Sequence, residues 1–448
     1  MSVRAGYYAA LLAGLVLLHI RLADYAFDDA YLHVRIAEHL ITHGRPYFNV
    51  DEAVMAGSSP LWTLVLAAGF GVVGTSVQLV ALGNALVTTL CVWVYALLLQ
   101  PSAGRPARPV RDDLTAGLVL VPILAPSSLG LMETPLALLT VGGAMLLVQR
   151  QRPAGVVLFG MAVFLRLELA AVLVVFATAA VVMRKVRPRD IATFTAAGVL
   201  PFVAYDLYFF GTVVPTAVRA KSLGYSLTLD ETVFRLVPWS SGPGNATALV
   251  VWLAASLAGG WYLVRRARVG WTAVAAYLCG ITILATYVAM RAFVFEWYVP
   301  LYAVLIAWPI LAAWRAATLD ALTPQARLAA CAAALAILVV PAQTALLQYV
   351  RAGIANPAYA PTFGQGARVR RYIEVGSDLY RAFPGSTLLT SEVGGLGHAF
   401  RGRVLDGFGL ISPAALPYHP LRVPEERSSG TIGAIPPAYI QACCLRSS

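Results

Sequence analysis

Apolar residues run along this chain in long uninterrupted blocks, near 6–22, 77–99, 114–126, 135–148, 154–166, 168–183, 191–210, 247–264, 271–290, 298–314 and 327–348. A helix that crosses a bilayer needs about 20 apolar residues. Several of these blocks are shorter, so the pattern predicts tilted helices and helical hairpins whose turns sit inside the membrane boundary. A further apolar stretch, "SPLWTLVLAAGFGVVG" at 59–74, lies close before the 77–99 block. After residue 348 the pattern changes to Pro, Gly and charge. There "STLLTSEVGGLG" (386–397) and "GRVLDGFGLISP" (402–413) predict strands ending in Gly turns, and "RVRRYIEVGSDLYRAF" (368–383) has an amphipathic helical period.

Composition agrees with the pattern. Of 448 residues, 59% are hydrophobic and 12% charged, with a mean hydropathy of +0.72, against roughly 25% charged in soluble domains. The net charge of +11 is informative mainly through its position. Arg4, Arg105/Arg108/Arg111, Arg150/Arg152, Arg184/Lys185/Arg187/Arg189, Arg265/Arg266/Arg268 and Arg315/Arg327 fall in alternate loops. The positive-inside rule makes these loops cytoplasmic. If Asp28 is outside and Arg105 inside, one net crossing separates them, so 59–74 is expected to lie along or dip into the outer face. The result is eleven crossings with the N-terminus inside. Residues 1–348 form an all-α multi-pass transmembrane domain, with outer loop 23–76, and residues 349–448 a small outer α/β domain. Residues 1–22 are read as an uncleaved first helix, since no A-x-A site follows. The cysteines at 91, 279, 331, 443 and 444 have no metal-ligand spacing. Arginines spread over short loops do not suggest a nucleic-acid partner.

The loops read as cytoplasmic hold only the acids Asp112, Asp113, Asp190 and Asp320, and this topology places nearly all the others on the opposite face, among them Asp28, Asp29, Asp51, Glu52, Glu133, Glu168 and Glu296. Ionisable groups near the bilayer core are costly and commonly functional. Asp28 and Asp29 open "DDAYLHVRIAEHL" just past the first apolar block. On a helix starting there, residues 28, 31 and 35 share one face, while Asp29 and His33 share another. One carboxylate can then pair with Arg35. The pair has three readings: a general base acting on a hydroxyl, ligands for a divalent cation such as Mg2+ or Mn2+, or a helix cap.

The stretch "DDAYLHVRIAEHLITHGRPYFNVDEAVMAGSSPLW" (28–62) resembles the first outer loop of GT-C membrane glycosyltransferases, and within them the bacterial terminal arabinofuranosyltransferase branch. Four further segments resemble the same family in order: "GLMETPLALL" (130–139), "FLRLELAAVL" (164–173), "YDLYFFGTVVPTAVRAKS" (205–222) and "GGLGHAFRGRVLDGFGLISP" (394–413). The resemblance implies transfer of a sugar from a polyprenyl-phosphate carrier to an acceptor hydroxyl on the outer face, usually with inversion. It places the enzyme in the bacterial plasma membrane, with a glycan, lipid or protein as acceptor. The sequence departs from the family at Gly57–Ser58–Ser59, at Thr216, at His398–Ala399 and in the terminal "QACCLRSS", which leaves the sugar open and reads as a truncated or altered end.

Asp28 matches the first Asp of the family motif and is the expected base, with Asp29 orienting the acceptor or helping to hold a cation. Lys221 matches the family's AK position. With Arg291 and Arg166 it is a candidate for the donor phosphate, although either Lys221 or Arg291 can simply snorkel to the headgroups. Glu133, Glu168 and Arg35 are candidate substrate-binding residues. Arg166 and Glu168 can also merely neutralise each other. Trp62 and Trp297 are expected in interfacial belts, and His33 on the surface. The alternatives to an arabinofuranosyl donor are a polyprenyl-phosphate-mannose-dependent enzyme, a lipid-linked-sugar transporter and a non-catalytic relative.

Overall fold

The computed structural model describes residues 2–100, 109–152, 154–224, 227–236, 254, 270–317, 346–351, 354–355, 363–420 and 435–444. The described part is mostly helical. In chain order the helices are α1 (Val3–Leu22), α2 (Asp28–His43), α3 (Pro60–Val73), α4 (Val77–Leu99), α5 (Pro109–Leu129), α6 (Thr134–Gln149), α7 (Gly155–Ala162), α8 (Leu169–Val182) and α9 (Pro188–Phe210). They continue with α10 (Thr216–Gly224), α11 (Leu229–Arg235), α12 (Trp271–Ala289), α13 (Val299–Ala317), α14 (Phe363–Ala382), α15 (Gly395–Phe400) and α16 (Pro437–Cys444). Two strands, β1 (Thr387–Thr390) and β2 (Arg403–Asp406), pair in parallel with Thr387 opposite Arg403.

Local signals explain many of the ends. Ser2 and Ser76 accept backbone N–H groups of Ala5 and Leu79 as N-caps. Pro60 and Pro188 stand in first turns, where a missing N–H costs nothing. Gly44 and Gly211 close α2 and α9 in the left-handed conformation. α4 lies between α1, α5 and α6, while α13 packs on α12 and also reaches α4, α5 and α6. Gly160 of α7 and Gly198 of α9 bring those helices together so closely that a Cβ on Gly198 would sit 2.4 Å from the carbonyl oxygen of Val157.

Among the described residues, α1 with the following turn, α4, α5, α9 and α12 are long and apolar enough to cross a membrane. The outward faces carry large apolar side chains, including Leu17, Ile20, Leu118, Val174, Leu200 and Leu207. In water such a surface would drive aggregation; in a bilayer it faces its own kind of solvent. The protein therefore belongs to a lipid environment. α3, with 14 residues, rises only about 21 Å and is too short to cross unaided. The expected blocks at 247–264 and 327–348 fall largely outside the described residues.

In the C-terminal part the expected amphipathic helix and two strands form as α14, β1 and β2, whereas 395–400, expected as a Gly turn, is helix α15, which packs on α14 with the β1–β2 pair beside them. It docks on α2 and the loop that follows. Asn49 substitutes for a neighbouring strand: its amide donates to the Val404 carbonyl at 2.8 Å, and its Oδ1 accepts the Val404 N–H at 3.1 Å. Glu52 accepts two bonds from Arg403, and Glu38 accepts one from Arg401 at 2.6 Å.

Candidate functional site

Six chain segments, widely separated in sequence, meet at one end of the helix bundle. The Phe27 N–H donates to the Gly130 carbonyl at 3.2 Å, Leu61 N–H to Phe164 at 3.1 Å, and Thr216 N–H to Met55 at 2.9 Å. Thr134 donates its hydroxyl proton to the Trp297 carbonyl at 2.7 Å, and Gly394 N–H reaches Asp28 at 2.9 Å. These are the segments whose acids the charge pattern assigned to one face. The arrangement makes them a single polar assembly on top of an apolar bundle.

Phe27 is the N-cap of α2 and makes no side-chain cap, and Asp28 and Asp29 occupy the first two helical positions. Both carboxylates are used elsewhere. Asp28 turns toward the C-terminal part, where Oδ2 accepts the Gly394 N–H at 2.9 Å and Oδ1 the Gly395 N–H at 2.8 Å. The approach requires glycine, because a Cβ at position 394 would lie 2.1 Å from the Asp28 carbonyl oxygen and 2.4 Å from Oδ2. Burial pushes the Asp28 carboxyl up to about 7, with further push from the negative charges of Glu392 and Asp29, while the two N–H donors pull the other way. Asp29 turns toward the bundle and pairs with Lys221 at 3.1 Å. Lys221 also donates to the Tyr298 hydroxyl at 3.3 Å and stands 4.8 Å above the Phe295 ring.

Lys221 lines a cavity of about 370 Å³ together with Ser58, Arg166, Glu168, Arg291 and Tyr298. Its other wall is apolar, formed by residues such as Leu167, Val218, Met290 and Phe293, and Met290 is 67% exposed at the rim. Arg166, 4% exposed, is held between Glu133 at 2.8 Å and Glu168 at 2.6 Å, with the Tyr298 ring 3.8 Å away. Tyr287 donates to Glu168 at 3.0 Å. Two buried polar atoms of this network, Arg166 Nε and Glu133 Oε2, have no hydrogen-bond partner among the described residues. Arg291 is exposed and sits in the turn after α12 with φ +47°, a conformation that L-residues adopt at some cost.

The structure thus brings Asp29, Lys221, Arg166, Glu168, Glu133 and Arg291 to one cavity or its immediate wall. It separates Asp28 and Arg35 from that group. Arg35 pairs with neither aspartate, contrary to the sequence expectation. It is 3% exposed and donates to the carbonyls of Phe48, at 3.0 Å, Gly397, and Gly402, at 2.6 Å, with its guanidinium over the Phe48 ring. A planar fork matches three converging carbonyls better than one carboxylate in another direction.

His33 was expected on the surface, but it is buried one turn beyond Asp29. Its Nδ1 lies 3.3 Å from the Thr63 hydroxyl. Burial lowers its pKa, against the raising influence of Glu133 and Asp29. The i, i+4 spacing from Asp29 is the one sequence signal that could have placed it there. Tyr287 and Tyr298 carry no such signal. Trp62 and Trp297 are buried.

The donor set does not suit a divalent cation at the acid pair. Asp28 faces two N–H donors and Asp29 an ammonium group, all of which repel a cation. Neither family models nor curated proteins nor solved structures match this chain.

Proposed function

We propose that the chain is a GT-C-type membrane glycosyltransferase, crossing the bacterial plasma membrane eleven times with residues 349–448 outside. In this reading it moves a sugar, arabinofuranose in first place, from a polyprenyl-phosphate donor to a hydroxyl of an envelope glycan. One observation carries the reading: the cavity has an apolar, partly exposed wall facing cationic and acidic side chains, next to an aspartate outside the cap role. That combination fits a ligand with an anionic head, a hydroxylated sugar and a long apolar tail. The volume lies within the usual range of about 300–1,000 Å³ for small-molecule sites.

The geometry favours Asp29 over Asp28 as the base. Asp28 is engaged by Gly394 and Gly395, whereas Asp29 adjoins the cavity through Lys221. In the proposed step, Asp29 accepts the proton of the acceptor hydroxyl as its oxygen attacks the anomeric carbon. The bond from that carbon to the phosphate oxygen breaks, and the phosphate leaves with the electron pair. Lys221 and Arg291 stabilise the charge that grows on it. No general acid is needed, because the leaving phosphate is stable as an anion, and no step passes through a metal. Arg166, fixed by two glutamates, shapes the cavity floor, and Glu133 and Glu168 remain as acceptors for sugar hydroxyls. The charges gather at one end of the bundle, which does not favour a transporter with midplane sites in broken helices.

The experiment is transfer by the purified protein from labelled polyprenyl-phosphate arabinose and polyprenyl-phosphate mannose. Asp29→Asn should lower kcat by at least about 100-fold with donor binding retained, the scale of a lost general base. Lys221→Ala and Arg291→Ala should weaken donor binding. Transfer of mannose alone would move the reading to a mannosyltransferase. Near-normal turnover by Asp29→Asn, with Asp28→Asn inactive and folded, would return the base to Asp28. Donor translocation without any transfer, unchanged in Asp29→Asn, would replace the enzyme with a transporter.

A further inference from the structure

At the far end of α2, away from the cavity, "EHLITH" sets His39 and His43 one turn apart. His39 is half-buried and His43 exposed, and their ring centroids are 5.4 Å apart in an edge-on arrangement. Neither residue takes part in the site described above.

The hydrogen bonds fix which nitrogen of each ring is free. Nδ1 of His39 lies 2.9 Å from the Tyr47 carbonyl oxygen, which can only accept, so Nδ1 carries the proton. Nδ1 of His43 lies 2.7 Å from the Thr42 hydroxyl. That hydroxyl already donates its single proton to the Glu38 carbonyl at 2.8 Å, so here too Nδ1 of the ring is the donor. Both neutral imidazoles are therefore held as the Nδ1–H tautomer, with the lone pair on Nε2. A ligating histidine is normally arranged in this way, its other nitrogen donating to a carbonyl or similar acceptor that sets the tautomer and aims the ring.

The spacing fits as well. With each Nε2 about 2.1 Å from a shared ion and a tetrahedral angle between them, two ring centroids stand about 5.3 Å apart. The i, i+4 pair on one helix face is also the spacing by which helical histidines share zinc. We propose that His39 and His43 form a surface site for a borderline divalent transition ion, Zn2+, Ni2+ or Cu2+, bound through the two Nε2 atoms and completed by water. Imidazole donors select these ions over Mg2+ or Ca2+. Occupancy would lock the last turn of α2 to the loop carrying Tyr47, whose hydroxyl donates to the Phe209 carbonyl at the end of α9.

The test uses the full chain in detergent, purified without a polyhistidine tag and titrated with ZnCl2, NiCl2 and CuCl2. One equivalent of Cu2+ should bind with an electron paramagnetic resonance signal split by two equivalent imidazole nitrogens. His43→Gln, at an exposed position and so able to fold, should weaken binding at least 10-fold and leave one nitrogen. His39→Gln/His43→Gln should remove the site. Unchanged binding in that double variant, a signal with no nitrogen splitting in the wild type, or equal affinity for Mg2+ would overturn the proposal.

Discussion

The sequence marks Asp28 and Asp29 as a pair but cannot assign their separate roles, because the groups that split them come from far along the chain. Gly394 is 366 residues from Asp28, and Lys221 is 192 from Asp29. Local reasoning offered a cap, a base or a cation site for the pair as a unit, whereas the fold gives each acid its own partner. The buried one has a testable signature. Its folded-state pKa is raised to about 7 from an ordinary 3.8, so between those values the folded state holds a proton that the unfolded chain has released. Stability contributed at this position is therefore greatest at low pH and declines as pH rises toward 7. Asp406 is raised similarly by burial, so the diagnostic quantity is a difference. The apparent Tm of wild type minus that of Asp28→Asn should fall between pH 5 and pH 8, and a flat difference would mean that Asp28 is ionised throughout.

At the scale of elements, the apolar blocks are helical wherever the structure describes them, because each is an uninterrupted apolar run, and many also carry local end signals. The turn between α7 and α8 was readable only in part. Arg166 and Glu168 are two apart and do pair, but Glu133 joins them from the start of α6, so a neutral pair becomes a buried three-residue network. Removing the cation from such a network leaves carboxylates without compensation. Arg166→Met should cost about 3–5 kcal/mol of stability, the usual scale for breaking a buried pair from one side. Combining it with Glu133→Leu should restore part of that loss, since a fully apolar replacement is often neutral. Unfolding in denaturing detergent checks both. Equal loss in the single and double variants would show that the network is not coupled.

At the scale of the whole molecule, α14 and the two strands of the tail were legible, but α15 and the tail's attachment were not. Alternation and Gly turns reveal β1 and β2, yet nothing in "HVRIAEH" announces that Arg35 reaches one carbonyl within α15 and another just after it. The sequence argument matched Arg35 with the nearest acids by helix spacing, and the fold instead points it at three backbone carbonyl oxygens. Polar pairing of buried groups is the stronger constraint, because each unsatisfied carbonyl costs about 1–3 kcal/mol. A single fork thus ties α2 to the tail beside the Asp28 clasp, and the docking of the C-terminal part and the position of the acid pair become one structural property. Arg35→Lys keeps the charge but cannot span three carbonyls in a plane. Amides of Gly394, Gly395 and Val404 should then exchange hydrogen at least about 10-fold faster, the equivalent of about 1.4 kcal/mol of lost local protection. Amides in the middle of α4 should stay unchanged. If the clasp amides kept their protection, the other contacts, among them Asp28, Asn49, Glu38 and Glu52, would suffice to hold the C-terminal part, and Arg35 would contribute only packing over Phe48.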